Sequence, residues 1–554
     1  MQITKELVQH IASTARLQLS EQEINEFTPQ LKEILDMFSQ LDQIDTKNIL
    51  PSFHPIKLEN VTREDTLKPS LTQEQALSLT KHKQDGYFKG PIQQHIKDVQ
   101  NKSIDIVECT AKALEETRSI NKEYNYFTAI SEELALSQAK NLKANPKGKL
   151  AGVFLSVKDA ICVKGVESTA GSRILKGYKP VFNATVIQRC IDEGAIILGK
   201  TSQDEFGFGG FAVNTEIVPK NPFNKERVTG GSSGGSAGFT QKADFAHLSL
   251  GESTGGSIVN PAFFCGVYGL CPTYSRVSRY GLLDYGNSLD KIGPIAKTIE
   301  DTALLLNIIA GNDKNDCTSS QTKTEDYTKF LNKHIKGMKI GIIKDLFGDK
   351  VDEKIKKSIQ KKIEQLESEG AKCEEISMPI TAKYSIPAYY IIATAEASTN
   401  LAKYCGLRYG AAENLQGNYN EFFTKVREAN FSKEAKRRIM LGTFTRMAGY
   451  RDAYYTKAMQ VRTKIIEEYQ HLFKKYNALL SPTMPMLAPK FSELKQLTPL
   501  QHYMADIMTA PPNLAGMPHL NVPIGMHNDQ ALGLMLTTDH FQEGKLIQIA
   551  GNIK

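Results

Sequence analysis

The stretch Thr229-Gly-Gly-Ser-Ser-Gly-Gly-Ser-Ala237, followed by Gly251-Glu-Ser-Thr-Gly-Gly-Ser-Ile258, decides how this chain is interpreted. It holds two clusters of glycine and serine. Glycine permits unusual backbone angles and close backbone approach, so consecutive N–H groups in such turns can point at one oxyanion. Helix-forming residues follow each cluster, and a helix N-terminus also favours negative charge. The pattern predicts a nucleophile, Ser257, beside its own oxyanion hole at Thr254, Gly255 and Gly256.

A serine nucleophile needs a base, and Lys158 is the best candidate. It ends the apolar run Gly152–Lys158, which suits a buried strand. Burial of a lysine lowers its pKa and frees its lone pair, and Ser–Lys pairs are an accepted variant of the catalytic triad. No histidine stands in a comparable setting; His247, between Ala246 and Leu248, is interpreted as structural. A surface lysine at a strand end remains the alternative for Lys158.

Two further motifs match known expressions but have the wrong context. Gly194–Thr201 matches the phosphate-binding P-loop, yet Ala195–Leu198 is itself an apolar strand candidate where the motif needs a flexible loop. Gly231–Gly235 matches the G-x-S-x-G nucleophile elbow, but a loop-like segment, 221–229, precedes it instead of a strand. Neither an ATP-binding P-loop nor an α/β-hydrolase is favoured.

Composition is that of a globular protein. The chain has 554 residues, 41% hydrophobic and 23% charged, and a net charge of +7, without the clustered basic stripe of a dedicated nucleic-acid binder. The N-terminus reads as an amphipathic helix rather than a signal peptide, and no apolar run reaches the roughly 18 residues of a membrane span. We expect a cytosolic protein without metal ligands, whose free thiols are buried: Cys109, Cys162, Cys190, Cys265, Cys271, Cys317, Cys373 and Cys405.

The first ninety residues differ from the rest. Ser20 and Glu23 form a capping box that predicts a helix start. One apolar seam at helical spacing follows, with Pro29 expected to kink the helix: Ile24, Phe27, Leu31, Ile34, Phe38 and Leu41. Residues 45–70, with Pro51, Pro55 and Pro69, predict an extended arm. Such a hairpin and arm cannot bury the seam alone, so we expect them to dock on the rest of this chain or on another subunit; an ordinary small helical domain is the alternative.

The remainder alternates between strand and helix patterns. Short apolar runs predict strands at Val153–Val157, Ala195–Leu198, Gly337–Ile343 and Ala478–Leu480. Helical patterns cover residues 97–145, 351–368 and most of 387–475, and a Pro-rich tail follows. This order predicts an α/β fold with a mixed or parallel sheet covered by helices on both faces.

The serine clusters, together with several shorter motifs, closely resemble the amidase signature family. The shorter motifs are Val157-Lys-Asp, Ser168-Thr-Ala-Gly-Ser172, Gly199-Lys-Thr and Gly266-Val-Tyr-Gly-Leu-Cys-Pro-Thr. The resemblance implies that residues 91–554 form an amidase-signature domain with a Ser–cis-Ser–Lys triad. It implies Ser257 as nucleophile, Ser232 as relay and Lys158 as base, with oxyanion donors on the backbone of Thr254, Gly255, Gly256 and Ser257.

Other motifs are similar to the A subunits of tRNA-dependent glutamyl/aspartyl amidotransferases. They are Ser275-Arg-Val-Ser-Arg-Tyr-Gly-Leu, Ser288-Leu-Asp-Lys-Ile-Gly-Pro, Arg437-Arg-Ile-Met-Leu-Gly-Thr-Phe and Asn513-Leu-Ala-Gly-Met-Pro. Residues 1–90 resemble the C subunit of such enzymes, through Asp45-Thr, Asn60-Val-Thr-Arg-Glu-Asp65 and Asp85-Gly-Tyr-Phe-Lys. The resemblance implies a natural fusion of C and A subunits, in which the C part forms a clasp between A and B.

The resemblance also implies a reaction and its partners. L-Glutamine is hydrolysed at Ser257, and the ammonia passes to a B subunit that uses ATP and magnesium to amidate Glu-tRNA(Gln), Asp-tRNA(Asn) or both. This chain itself then needs no cofactor, and aminoacyl-tRNA binds mainly through the B subunit. By family position Arg438 grips the glutamine α-carboxylate, Asp506 faces the α-ammonium and Tyr389 lines the pocket; a surface charge remains the alternative for Arg438.

The chain departs from the family pattern at two positions beside the nucleophile. Ser253 stands where the family usually has aspartate, and Val259 where it has arginine. Three alternatives to the amidotransferase component stay open, and the changes at Ser253 and Val259 bear only on the second. They are a stand-alone amidase for another small amide, a scaffold that has lost activity, and a nucleotide-binding protein acting through Gly194–Thr201.

Overall fold

The computed structural model describes residues 3–56, 83–84, 87–88, 91–412 and 417–553. Its α-helices are α1 (Lys5–Thr14), α2 (Glu21–Phe38), α3 (Pro91–Gln100), α4 (Ile106–Tyr124), α5 (Glu132–Ala144), α6 (Thr185–Asp192), α7 (Gly234–Lys242), α8 (Val259–Cys265), α9 (Ile299–Ile309), α10 (Glu353–Ser368), α11 (Pro379–Asn400), α12 (Tyr419–Asn430), α13 (Lys433–Arg446), α14 (Lys457–Phe473), α15 (Phe491–Leu494), α16 (Pro499–Met504), α17 (Ala510–Leu514) and α18 (Glu543–Ala550).

The strands are β1 (Lys83–Gln84), β2 (Tyr87–Phe88), β3 (Phe127–Ile130), β4 (Phe154–Lys158), β5 (Ile196–Thr201), β6 (His247–Ser253), β7 (Tyr268–Cys271), β8 (Lys291–Ala296), β9 (Lys339–Ile343), β10 (Lys372–Ile376), β11 (Ala478–Pro482), β12 (His519–His527) and β13 (Gln530–Thr537). Within the described residues, β1 and β2 pair with each other. The other strands form one sheet in the order β10-β9-β11-β13-β12-β7-β8-β6-β4-β5-β3. Parallel and antiparallel pairs alternate in blocks, so the sheet is mixed, as predicted.

Both faces of the strands around Lys158 are covered. Every residue of β4, β5, β6 and β8 is buried, although neighbouring residues point to opposite faces. β4 lies between β5 and β6 and is parallel to both, so the carboxyl ends of these three strands meet at one edge. That edge is where open α/β sheets usually bind ligands, and here it carries Lys158 and the loop 254–258.

The N-terminal helices dock on the rest of the chain. Ser20 caps α2 through the backbone N–H of Glu23, whose carboxylate returns to the N–H of Ser20, as the capping box predicts. The seam residues from Ile24 to Leu41 are buried, and α2 continues through Pro29 without ending. The expectation of docking is therefore confirmed, and the surface that receives α2 belongs to this chain.

Polar contacts fix α2 against α13. Lys433 pairs with Glu26 at 2.6 Å and Lys436 with Glu23 at 2.8 Å. Arg437 Nε donates to Gln30 Oε1 at 3.0 Å. Ile44 and the described start of the predicted arm, residues 45–56, run along α14 and make four hydrogen bonds with it. These join Ile44, Ile49, Leu50 and Ser52 to Lys457, Gln460, Thr463 and Met459.

Two sequence predictions were wrong in detail. The segment 97–145 contains a strand as well as helices, because β3 (Phe127–Ile130) pairs with β5 at the edge of the sheet. The Pro-rich tail also contains the hairpin β12–β13, which supplies two central strands. The remainder of the arm, with Pro69 and the motifs Asn60–Asp65 and Asp85–Lys89, lies mostly outside the described residues. The domain boundary at 90/91 stays a prediction.

The cysteines differ from the expectation in their burial. All eight are free, but Cys317 is exposed and three are only partly buried: Cys109, Cys373 and Cys405. Among the described residues, no helix is long and apolar enough to cross a membrane. No group of three or more histidine, cysteine, aspartate or glutamate side chains there is arranged to hold a metal ion.

Candidate active site

The second serine cluster forms a tight loop between β6 and α8. Ser257 precedes α8 and is 7% exposed, so its hydroxyl lies in a nearly closed site. The glycines are required by neighbouring side chains. A Cβ on Gly255 would lie 2.6 Å from Tyr389 Oη, and one on Gly256 would lie 2.1 Å from Thr509 Oγ1. The motif therefore lets Tyr389 and Thr509 press directly onto the loop that carries the nucleophile.

The loop offers backbone donors for an oxyanion. In the described part of the chain, the N–H groups of Gly255, Gly256 and Ser257 make no hydrogen bond to another backbone or side-chain atom. The opposite side of the loop is held instead, because Asn513 Nδ2 donates to the Thr254 carbonyl and Asn260 N donates to the Gly256 carbonyl. Fixed donors without protein partners are what a developing oxyanion needs.

The first cluster brings Ser232 to Lys158. The peptide bond between Gly231 and Ser232 is cis, and the Ser232 Oγ accepts a hydrogen bond from Lys158 Nζ at 2.6 Å. The next residue ties the two clusters together, since Ser233 N donates to the Ser257 carbonyl at 3.2 Å. Both Ser232 and Lys158 have no exposed surface. The three residues predicted from the sequence thus belong to one buried cluster, and Lys158 is not a surface lysine.

The surroundings of Lys158 pull its pKa in opposite directions. Burial is the largest effect and holds the pKa of Lys158 below its usual value, while the carboxylate of Glu252 opposes that shift. Nζ lies 2.8 Å from Glu252 Oε2 and 2.9 Å from the Glu252 carbonyl. Sequence reasoning missed Glu252. The signal was one acidic residue in a strand that otherwise carries apolar, small or hydroxyl side chains after His247.

The two departures from the family pattern are both buried. Val259 begins α8 and has no exposed surface. Ser253 ends β6, and its hydroxyl makes no hydrogen bond among the described residues. Neither side chain makes a hydrogen bond to Lys158 or Ser232, so the Lys158–Ser232 contact is in place with these two residues present.

The predicted substrate residues lie together beside this loop. Arg438 is 1% exposed and therefore not a surface charge. Its Nε donates to Glu434 Oε1 at 2.6 Å and its NH1 to Tyr285 Oη at 2.7 Å, while the ring of Tyr503 lies 4.9 Å from its guanidinium. α2 explains the burial of the neighbouring Lys436 and Arg437, which the sequence pattern alone did not reveal.

Asp506 lies on the same side of the site. Its Oδ2 accepts a hydrogen bond from Tyr390 Oη at 2.5 Å, and burial raises the pKa of Asp506 to about 6. A cavity of about 280 Å³ adjoins these residues and is lined by Arg438, Tyr390, His502 and, from the N-terminal helix α2, Gln30. The N-terminal segment therefore forms part of the wall of this cavity.

The residues that sequence analysis set aside have structural roles. Lys200, from the P-loop-like stretch, is fully buried and donates to Ser168 Oγ at 2.6 Å, 3.5 Å from Asp159 Oδ1. His247 Nε2 bonds to Ser156 Oγ at 2.9 Å, and burial lowers the pKa of His247 to about 3. Gly194–Thr201 is mostly strand β5, which leaves no loop to wrap a phosphate.

Comparison with known proteins agrees with this architecture. The family model described as Amidase matches residues 108–547, which is most of the chain. The chain belongs to the amidase family. A second model, described as the Glu-tRNAGln amidotransferase C subunit, matches residues 19–89. This amidase-family enzyme therefore carries a C-subunit-like segment and an amidase domain in one polypeptide.

Three relatives illustrate the similarity. The A subunit of the glutamyl-tRNA(Gln) amidotransferase of Carboxydothermus hydrogenoformans is 44% identical over 458 residues, which cover 82% of this chain and 94% of the relative. The corresponding protein of Halothermothrix orenii is 46% identical, over 75% of this chain and 87% of the relative. A crystal structure of the A subunit from Thermotoga maritima matches with a TM-score of 0.68 and 34% identity, covering 87% of this chain and 93% of the other.

Proposed function

We propose that this chain is the glutamine-hydrolysing component of a tRNA-dependent amidotransferase. The observation that carries the proposal is the buried contact of 2.6 Å between Lys158 Nζ and Ser232 Oγ, next to the Ser257 loop. A lysine with a lowered pKa beside a relay serine suits general-base activation of a nucleophile. The relatives, which are named as A subunits of glutamyl-tRNA(Gln) amidotransferase, supply the reaction.

In this mechanism Ser257 attacks the side-chain carboxamide of glutamine. Its proton moves to Ser232, and the proton of Ser232 moves toward Lys158. Of the predicted donors Thr254, Gly255, Gly256 and Ser257, we assign the N–H groups of the last three to the oxyanion of the tetrahedral intermediate. The proton then returns to the leaving nitrogen, ammonia departs, and water releases glutamate from the acyl-enzyme.

Free glutamine must also be held by its α-groups. We assign the α-carboxylate to Arg438, the α-ammonium to Asp506 and the wall of the pocket to Tyr389. A simple amide lacks these α-groups and would leave the buried charges of Arg438 and Asp506 without a partner. The site would therefore bind glutamine in preference to simple amides. Asp506 suits this role because it is buried beside the cavity and bonded to Tyr390.

The ammonia would serve a B-type subunit that uses ATP and magnesium to amidate Glu-tRNA(Gln), Asp-tRNA(Asn) or both, in the cytoplasm. The match of residues 19–89 to the C-subunit model supports such an assembly. A stand-alone amidase for another small amide is the second candidate. The buried Arg438 and Asp506 argue against it, since Glu434 and Tyr285 accept from only two of the five N–H donors of Arg438.

The test is ammonia release from glutamine by the whole chain, alone and with a B-type subunit and charged tRNA. Ser257→Ala should abolish release, a fall of at least about 10³-fold, because the substitution removes the nucleophile. Release that rises with partner and tRNA supports the proposal. If glutamine stays inert while another amide is cleaved at Ser257, the amidotransferase function is wrong and the stand-alone amidase replaces it.

A further inference from the structure

Glu252 supplies two of the three oxygens that surround Lys158 Nζ. The three acceptors around Lys158 Nζ are Ser232 Oγ at 2.6 Å, Glu252 Oε2 at 2.8 Å and the Glu252 carbonyl at 2.9 Å. An ammonium group has three protons and no acceptor site. As an ammonium with its three N–H bonds directed at these oxygens, Lys158 can take a proton from Ser232 only if it gives one away.

The position to which that proton can go is Glu252. Its carboxylate is 3% exposed and belongs to β6, which lies parallel to the strand that ends in Lys158. The carbonyl oxygen of Glu252 is a poor proton acceptor, whereas its Oε2 is a carboxylate oxygen in direct contact with Nζ. Of the three acceptors, Oε2 is therefore the one able to accept a proton outright.

A second carboxyl group, that of Asp290, is linked to Glu252 through the hydroxyl of Thr254. Thr254 Oγ1 lies 3.1 Å from Glu252 Oε1 and 2.8 Å from Asp290 Oδ1. One hydroxyl proton serves only one of these oxygens, so both contacts are hydrogen bonds only when one carboxyl is protonated. Burial, and then the charge of Glu252, hold the pKa of Asp290 well above its usual value. If Asp290 carries that proton, Thr254 donates to Glu252, and Glu252 Oε2 stays unprotonated toward Lys158.

Two other charged groups, Asp204 and Arg279, act on Lys158 and on Asp290. Asp204, which holds the loop around Gly209 and Asn214 through hydrogen bonds, also faces Lys158. Burial raises the pKa of Asp204. The positive charge of Arg279 lowers the pKa of Asp290 and so opposes the effect of burial.

We propose that Glu252 is the terminal proton acceptor of this site, so that the base is a lysine–carboxylate pair rather than lysine alone. This inference rests on the proposed roles of Ser257, Ser232 and Lys158. As Ser257 Oγ bonds to the carbonyl carbon, its proton moves to Ser232, the Ser232 proton to Nζ, and one Nζ proton to Glu252 Oε2. Lys158 remains an ammonium, and Glu252 becomes a neutral acid.

The second half of the step reverses the route. The carbon–nitrogen bond breaks as Ser232 gives a proton to the leaving nitrogen, Nζ gives one to Ser232, and Glu252 returns one to Nζ. Ammonia leaves with all its protons accounted for, and Glu252 is again a carboxylate. The same path serves the water that hydrolyses the acyl-enzyme.

The proposal predicts the direction of a pH shift. With Glu252 present, Lys158 is competent as an ammonium, and activity is lost only when acid protonates the pair once more. In Glu252→Gln the base must be a neutral lysine, which exists only above the pKa of Lys158. The acid limb of the rate therefore moves to higher pH, by at least about one unit, and the rate at neutral pH falls at least about tenfold.

The experiment uses the whole chain and follows the rate at which phenylmethanesulfonyl fluoride modifies Ser257, measured by mass spectrometry between about pH 5 and about pH 10. This readout needs the proton relay but no glutamine, so it separates the two proposals. Ammonia release from glutamine is measured in parallel. If modification shifts as expected while glutamine is inert, the relay stands and the proposed function fails.

Two further variants control the result. Glu252→Asp keeps a carboxylate on a side chain one methylene shorter and should keep the acid limb in place at a reduced rate. Asp301→Asn removes another buried carboxyl, in α9, whose pKa burial raises to about 6, and should not move the limb. An acid limb in Glu252→Gln that stays in place, or that moves to lower pH, overturns the proposal, because the carboxylate would then only stabilise the ammonium.

Discussion

Two buried lysines on neighbouring strands each donate a hydrogen bond to a serine, and one of these two pairs belongs to the candidate active site. Lys158 donates to Ser232, and Lys200 donates to Ser168, each at 2.6 Å. Each lysine is fully buried and has a carboxylate beside it, Glu252 in the first case and Asp159 in the second. By residue type, distance and burial the two pairs are nearly the same.

Their difference is the face of the sheet on which they lie. β4 and β5 pair with Val157 opposite Lys200 and Lys158 opposite Thr201. Residues one apart on a strand point to opposite faces, so Lys158 and Lys200 do too. The Lys158 face carries Ser257 and the loop of backbone donors, which follow β6 at the same sheet edge. The comparison teaches that a buried Ser–Lys pair is not a catalytic signature without a nucleophile and an oxyanion site.

The largest expected difference between the two pairs follows from replacing each lysine. Lys158→Met should lower ammonia release per folded molecule by about 10³-fold, because no base accepts the serine proton. Lys200→Met should leave that activity within about threefold but lower the free energy of unfolding by about 3–5 kcal/mol, since Asp159 stays buried without its partner. Steady-state assays, corrected for folded fraction by urea unfolding, measure both. Equal activity losses would mean that both pairs take part in catalysis.

Removal of each serine gives a smaller contrast. Ser232→Ala should cost about 10²-fold in kcat/KM, with the unfolding midpoint little changed, because the relay is lost while Lys158 keeps Glu252. Ser168→Ala should change kcat/KM by less than about twofold and the free energy of unfolding by about 1 kcal/mol, the value of one hydrogen bond. A large activity loss in Ser168→Ala would contradict the division between the two faces.

The smallest effect is one that both pairs should share. Burial lowers the folded-state pKa of Lys158 and of Lys200 below 10.5. Between each folded-state pKa and 10.5 the unfolded chain binds more protons, so the free energy of unfolding rises with pH in that window. The rise is at most about 1.4 kcal/mol per pH unit for each lysine. Urea unfolding across that range should show a flatter rise in either lysine-to-methionine variant, and an unchanged slope would show that the lysine titrates as in the unfolded chain.

Much of the fold and the site could be predicted because the signals are local. The apolar run before Lys158 marks a buried strand, and the glycine–serine loop before Ser257 marks the turn that follows β6. The capping box at Ser20 marks the start of α2. In each case neighbouring residues along the chain carry the information, and the structure has the element within one or two residues of the prediction.

The rest depended on contacts between distant segments. β3 is four residues long and becomes a strand only because β5 offers an edge. Glu252 meets Lys158 only through the register of β4 and β6, which pairs Val157 with Leu250. The burial of Arg437 depends on α2, more than 400 positions earlier in the chain. Such pairings carry no signal in the spacing of one segment.

The contacts between α2 and α13 do not depend on the concentration of the protein. Because Glu23, Glu26 and Gln30 reach α13 from the same polypeptide, their docking is an intramolecular event. A tethered segment meets its surface at a local concentration in the millimolar range, whatever the amount of protein in solution. Dilution therefore does not separate α2 from the cavity beside Arg438. A helix supplied by a separate polypeptide would dissociate on dilution according to its own Kd.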